Sequence, residues 1–228
     1  MPRCRRSLAR WIPQMTSVVI VGASGFGRET LDVLEAMIAA GSDVEIAGVL
    51  DDGPSNINLE RLADRGISYL GRIDDWIAHA DVSVQYLVAI GNPVIRQMLC
   101  AKFDLAGFEP FTAIHPTAII GSRFVTGAGS VVCSGAVIST NVQLGKHVHV
   151  NPVATIGHDS ILQDYVSINP ASVISGEVLV ESYTLVGAKS IVLQGLTISE
   201  KCTIGAGAVV TKNVPSSKVA VGVPARWS

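Results

Sequence analysis

From Ile114 to Pro215 an aliphatic residue returns at every sixth position. Written in sixes, the chain reads IHPTAI, IGSRFV, TGAGSV, VCSGAV, ISTNVQ, LGKHVH, VNPVAT, IGHDSI, LQDYVS, INPASV, ISGEVL, VESYTL, VGAKSI, VLQGLT, ISEKCT, IGAGAV and VTKNVP. Sixteen of the seventeen first positions are Ile, Val or Leu, Thr126 being the exception. Fifth positions are mostly small or β-branched, as in Ala118, Ser130, Ala136, Val142 and Val148, with Phe124 and Leu196 the large ones. A fifth position and the next first position are two residues apart, the spacing of side chains on one face of a strand. Third positions, among them Pro116, Ser122, Thr140, His158 and Gly176, hold no large aliphatic. The alternation therefore breaks there, and each six predicts a short strand followed by a corner. Three sides close a triangular coil, and coils stacked at strand spacing form a parallel β-helix roughly 27 Å tall. The spacing leaves its hand open.

Upstream the period changes. TSVVIVGASGFGRETLDVLEAM reads as a buried strand, a glycine turn, and an amphipathic helix whose Leu31, Leu34 and Ile38 recur at helical intervals. VEIAGVLDD predicts a second strand ending at Asp51 and Asp52. VQYLVAIGN predicts a third, ending at Gly91 and Asn92 before a helix from Pro93 to Leu105. Strands alternating with helices predict a small parallel α/β unit. The expected organisation is a disordered extension over 1–14, a Rossmann-like acceptor-binding domain over 15–108, and a β-helix domain with a C-terminal tail over 109–228.

Composition narrows the partners. A formal net charge of −2 offers no basic stripe, so no nucleic acid partner is expected. The uncharged run from Phe124 to Gly145 is long enough to span a bilayer, but its six-residue period continues on both sides into charged sequence, so no membrane span is expected. Cys4, Cys100, Cys133 and Cys202 show no close pairing, which points to reduced thiols and a cytoplasmic location.

The hexads, the closing segment VPSSKVAVGVPARW with Gly222, Pro224 and Ala225, the turn from Gly22 to Gly27, the stretch from Ala89 to Arg96, and His115-Pro116 together carry a resemblance. The chain resembles the sialic acid O-acetyltransferase and UDP-amino-sugar N-acetyltransferase family of hexapeptide-repeat acyltransferases. That resemblance implies a left-handed β-helix, a homotrimer, acetyl-CoA in the groove between neighbouring prisms, no metal, and a sugar or nucleotide-sugar acceptor from bacterial surface-glycan pathways. It implies His158 as general base, Asp159 as its acidic partner and the Gly176 N–H as oxyanion donor. An imidazole titrates in the range such a base needs. It also implies that Ser167, Gly176, Ala188 and Ala206 line the acetyl-CoA groove. The acceptor would meet Ser24, Gly25, Phe26, Asp51, Asp52, Gly91, Asn92 and Asn151. Relatives commonly carry His where this chain has Phe26.

The residues also admit other readings. O-acetylation of sialic acid or a related sugar would use the same base. A non-catalytic β-helix scaffold would keep the solenoid without the chemistry. A zinc site of His147, His149 and His158 would use histidines that lack the H-x4-H spacing of the β-helix carbonic anhydrases. A nucleotide-dependent oxidoreductase would need a longer α/β unit than the one before Ile114.

Overall fold

A computed structural model of the chain describes residues 15–227, so the extension expected over 1–14, including Cys4, lies outside the described residues. The first part is a four-stranded parallel sheet in the order β3-β2-β1-β4, formed by β1 (Thr16–Val21), β2 (Val44–Leu50), β3 (Tyr69–Gly71) and β4 (Gln85–Val88). Helices α1 (Gly25–Ala39), α2 (Asn56–Ala63), α3 (Ile73–Ile77) and α4 (Pro93–Leu105) connect and cover them. β1 is apolar on both faces because both are buried. Val18 and Ile20 pack with Leu31 and Leu34 of α1, while Val19 and Val21 pack with Cys100 and Phe103 of α4. The sequence had not shown β3, α2 or α3, which are short, the two helices mixing polar with apolar residues.

Residues 109–111 run beside β4, where the Tyr86 N–H donates to the Glu109 carbonyl and the Phe111 N–H to the Tyr86 carbonyl. The chain then enters a left-handed β-helix of eighteen two-residue strands among the described residues, β5 (Ala113–Ile114) to β22 (Val219–Ala220). They stack as three parallel faces of five, seven and six strands. Fifth and first positions point inward, as the hexads predicted: Ala136 with Ile138, Val142 with Leu144 and Val166 with Ile168 are all buried. Inward hydroxyls are satisfied by backbone, as where Ser172 Oγ donates to the Gly187 carbonyl at 2.7 Å. The last coil is closed by the tail, whose Ala225 N–H donates to the Val209 carbonyl while Trp227 packs on the core.

The corner has one conformation. Every fourth position from Arg123 to Gly207 is left-handed, with φ between 54° and 78°. Few of these residues are glycine, so the fold holds many side chains where L-residues are disfavoured by roughly 1–2 kcal/mol each. The helix keeps them there because, from Asn141 to Gly207, each corner N–H finds a carbonyl one coil away, as Val153 N does at Ser134 O. Val153 is the conspicuous case, since it is β-branched, 63% exposed, and at φ 59°. Replacing Val153→Asn should raise the unfolding free energy by about 1 kcal/mol. Urea denaturation reads this, and an unchanged or lower midpoint contradicts it.

Candidate functional site

His158 and Asp159 occupy the third and fourth positions of one hexad, at the corner between the six-stranded and five-stranded faces. Adjacent residues of a strand point to opposite faces, but Asp159 has φ 58°, and this left-handed turn brings both side chains to the outside. Asp159 Oδ2 lies 2.7 Å from His158 Nδ1, and Asn141, one coil earlier, donates Nδ2 to Asp159 Oδ1 at 2.8 Å. The Asn141 hydrogen bond, then the His158 bond, hold the Asp159 carboxyl below its ordinary range. An ionised Asp159 is an acceptor only, so Nδ1 carries the ring proton and Nε2 is left with its lone pair.

Nε2 stands over Gly176. A Cβ on Gly176 would fall 2.4 Å from His158 Nε2 and 2.6 Å from Cε1, so only glycine lets the imidazole lie there. The Gly176 N–H has no acceptor among the described residues, so it is free to donate beside the ring. The two side chains are 49% and 45% exposed, which leaves the base accessible.

A second group of loops gathers at the C-terminal ends of the α/β strands. Chain order reverses between β1 and β4, the switch point where open parallel sheets bind ligands. Gly22 and Gly27 make the first loop possible: a Cβ on Gly27 would sit 1.8 Å from the Gly22 carbonyl oxygen. Ser24 and Gly25 are exposed at the start of α1, whose first N–H groups lack intrahelical acceptors and receive no side-chain cap from Ser24. Gly91 and Asn92 are exposed on the facing loop, with Asn92 capping α4 through the N–H groups of Val94 and Ile95. The two carboxylates expected to hold hydroxyls are already engaged. Asp51 accepts from the N–H groups of Ala23 and Gly53, at 2.8 and 2.9 Å, and Asp52 accepts from Ile73 N–H. These bonds shape the loops, while Asp52 Oδ2 has no hydrogen-bond partner among the described residues. Arg28, which the sequence had not singled out, donates to the Ala23 carbonyl and to Asn58 Oδ1 beside the turn.

Other expectations change too. Ser167 was expected in an acetyl-CoA groove, but it is 1% exposed and its Oγ donates to the Gly91 carbonyl at 3.0 Å, inside the seam between the two parts. Ser167 is the outward residue of its strand, and the α/β part covers that strand. Asn151 is also buried, with Nδ2 bonded to the Ile168 carbonyl, so it is tied into the coil and not presented to a ligand. Ala188 and Ala206 lie on the corner between the seven-stranded and six-stranded faces. One chain therefore does not bring them to His158 and Gly176.

Two further histidines, His147 and His149, face the seam. Phe26 of the glycine turn packs on His149, with ring centroids 4.7 Å apart. His149 Nδ1 is 3.1 Å from Arg96 Nη1, and His147 Nδ1 is 3.3 Å from Cys100 Sγ. His158 stands on the opposite corner, so the three imidazoles do not converge, and no metal-binding group of His, Cys, Asp or Glu occurs among the described residues. Cys100, Cys133 and Cys202 are free and buried, and burial raises the first two thiols to about 12. No helix among the described residues is long and apolar enough to cross a membrane.

The PglD N-terminal domain family matches residues 17–103. The chain is 32% identical over 147 residues to the GDP-perosamine N-acetyltransferase of Escherichia coli O157:H7, a match covering 64% of this chain and 63% of that relative. It thus spans less than two thirds of the relative's length. WeeI from Acinetobacter baumannii AYE superposes with a TM-score of 0.83 at 28% identity, over 93% of this chain and 100% of that one. PerB from Caulobacter crescentus, in complex with CoA and GDP-perosamine, superposes with a TM-score of 0.75 at 29% identity, over 94% and 98%.

Seam burial has a consequence in acid. Desolvation lowers His147 to about 4, and desolvation followed by the Arg96 charge holds His149 well below its usual value. The unfolded chain binds these protons first, so stability is complete above about pH 6.5 and falls as pH drops toward 4. His147 alone corresponds to roughly 3 kcal/mol over that window. Chemical denaturation at pH 7.5, 6 and 5 should show the decline, and His149→Gln should lessen it while the His147 share persists. Equal midpoints across the series would contradict the neutral, buried assignment.

Proposed function

Because the chain belongs to the hexapeptide-repeat, left-handed β-helix acyltransferases, we propose that it is an acetyl-CoA-dependent N-acetyltransferase acting on a nucleotide-linked amino sugar. The observation that carries this reading is the arrangement of His158, with Nδ1 held by Asp159 and Nε2 over a glycine whose N–H is free. Similarity to a protein that bears the name GDP-perosamine N-acetyltransferase, and to PerB, seen with CoA and GDP-perosamine, supports the substrate classes.

The chemistry follows from the residues. Acetyl-CoA supplies the thioester carbonyl. His158 Nε2 takes a proton from the sugar amine as the amine attacks that carbonyl, and Asp159 stabilises the ring as it becomes charged. Gly176 N–H donates to the carbonyl oxygen as negative charge develops there, and collapse of the adduct breaks the C–S bond, the proton held by His158 passing to the departing CoA sulfur. Residues 15–108 hold the acceptor, with the exposed N–H groups at the start of α1 suited to phosphate oxygens. Residues 109–228 hold the donor and the base.

A homotrimer fits the same geometry. The α/β part lies on the seven-stranded face, and the His158 corner is opposite that face. The intervening six-stranded face carries an outward column of Ile119, Val137, Val173, Ile191 and Val209, with Ile119 64% exposed. Copies meeting along this face bury the column and carry the His158 corner of one chain toward Ala188, Ala206 and the acceptor crevice of another. Free thiols and a nucleotide-sugar substrate agree with a cytoplasmic location.

Free-thiol release from acetyl-CoA tests the reading against GDP-perosamine, UDP- and dTDP-linked amino sugars, and sialic acid. Turnover is expected with a nucleotide amino sugar, falling about 10²- to 10⁴-fold in His158→Ala. Gly176→Ala, whose methyl displaces the imidazole, should lose activity while melting as a folded protein. Turnover confined to sialic acid would replace N- by O-acetylation. Silence on every acceptor, or full activity in His158→Ala, would overturn the proposal in favour of a scaffold.

A further inference from the structure

Arg96 is the largest fully buried side chain among the described residues, and no carboxylate accompanies it. Its guanidinium is divided between the two parts of the molecule. Nη1 donates to the carbonyls of Ile90 at 2.7 Å and Gly91 at 3.3 Å, and meets His149 Nδ1. Nη2 donates to the carbonyls of Tyr165 at 2.7 Å and Val166 at 3.3 Å, and to Ser167 Oγ at 3.0 Å. Ser167 closes the triangle by donating to the Gly91 carbonyl. One arm of the fork thus grips the loop after β4, and the other grips a coil of the β-helix.

The same loop forms one wall of the acceptor crevice. Its rear carbonyls are bound to Arg96 and Ser167, while Gly91 and Asn92 are exposed in front. Arg96 is lowered by burial to about 10, so it stays charged at neutral pH, and its only unpartnered polar atom is Nε. A buried cation without a counter-ion persists only where its donors are saturated by well-placed acceptors. A lysine offers a point of charge and no fork, so it cannot grip both parts at once.

We propose that Arg96 is a positioning residue for the acceptor: its forked guanidinium fixes the crevice loop Ile90–Asn92 on the β-helix, and so fixes where the sugar is presented for transfer. This rests on the acetyltransferase reading above. A crevice wall that shifts on its seat loses contacts made equally to the bound and the reacting acceptor, so the loss falls on the acceptor KM.

Steady-state kinetics of the full chain test it, using acetyl-CoA and the nucleotide amino sugar turned over fastest in the panel above. Arg96→Lys should raise the acceptor KM about tenfold or more, with the acetyl-CoA KM and the kcat at saturating acceptor within about twofold of wild type. Ser167→Ala removes one bond of the same bridge, so it should move the acceptor KM in the same direction by less. The double variant should fall short of the product of the two effects. If Arg96→Lys does not fold, Ser167→Ala carries the test. A rise in the acetyl-CoA KM instead, or a fall in kcat with both KM values unmoved, overturns the proposal. Should wild type turn over no acceptor, the enzymatic reading fails separately, and hydrogen exchange then decides the bridge. Ser167→Ala should speed exchange of the amides at 89–92, and unchanged rates there overturn it.

Discussion

The left-handed turn at every sixth residue is the constraint on which the rest depends. It closes the triangle, keeps fifth and first positions in the core, and turns third and fourth positions outward together. On most corners this places unremarkable polar or small residues side by side. On one it places His158 and Asp159 within hydrogen-bond reach, a contact that an extended strand would forbid. Stacking then supplies the other members of the group, with Asn141 one coil on one side of the pair and Gly176 one coil on the other.

The same stacking separates the two halves of the proposed chemistry. A triangular prism has a corner opposite each face, and the α/β part occupies the face opposite His158. Its crevice is anchored there by Arg96, Ser167 and His149, which are sealed from water in the seam. The crevice and the base are therefore each rigidly placed on one chain but not next to one another. The proposed trimer resolves this by pairing the crevice of one copy with the corner of the next.

Much of this was legible in the residues because periodicity reports backbone geometry directly. The hexads fixed the corners and hence the neighbourhood of His158, and an eighteen-residue step backward from Asp159 would have found Asn141 as well. The helix from Pro93 to Leu105 was visible from its proline start and apolar spacing. What stayed hidden depends on contacts between distant segments. Arg96 read only as the end of a stretch that carried the resemblance and His149 as a candidate zinc ligand, and only docking of α4 and the glycine turn on the seven-stranded face makes them a buried bridge. Ser167 and Asn151 were assigned from position in the repeat, which tells whether a side chain points outward but not what covers it. Asp51 and Asp52 stand at a strand end as expected, and the backbone N–H groups that bond to Asp51 and to one oxygen of Asp52 come from segments that only the fold brings near.

Mixed assemblies test the central claim most directly. A Cβ on Gly25 meets nothing within 4 Å, so a side chain can start there without a clash, and Gly25→Trp is expected to obstruct the proposed acceptor site at the glycine turn. Co-assembling Gly25→Trp chains with His158→Ala chains, each inactive alone, should restore acetyl transfer, because an open crevice on one chain then faces an intact imidazole on another. Assemblies that form in the mixture yet stay as inactive as either parent would show that crevice and base work within one chain, and the account would be wrong.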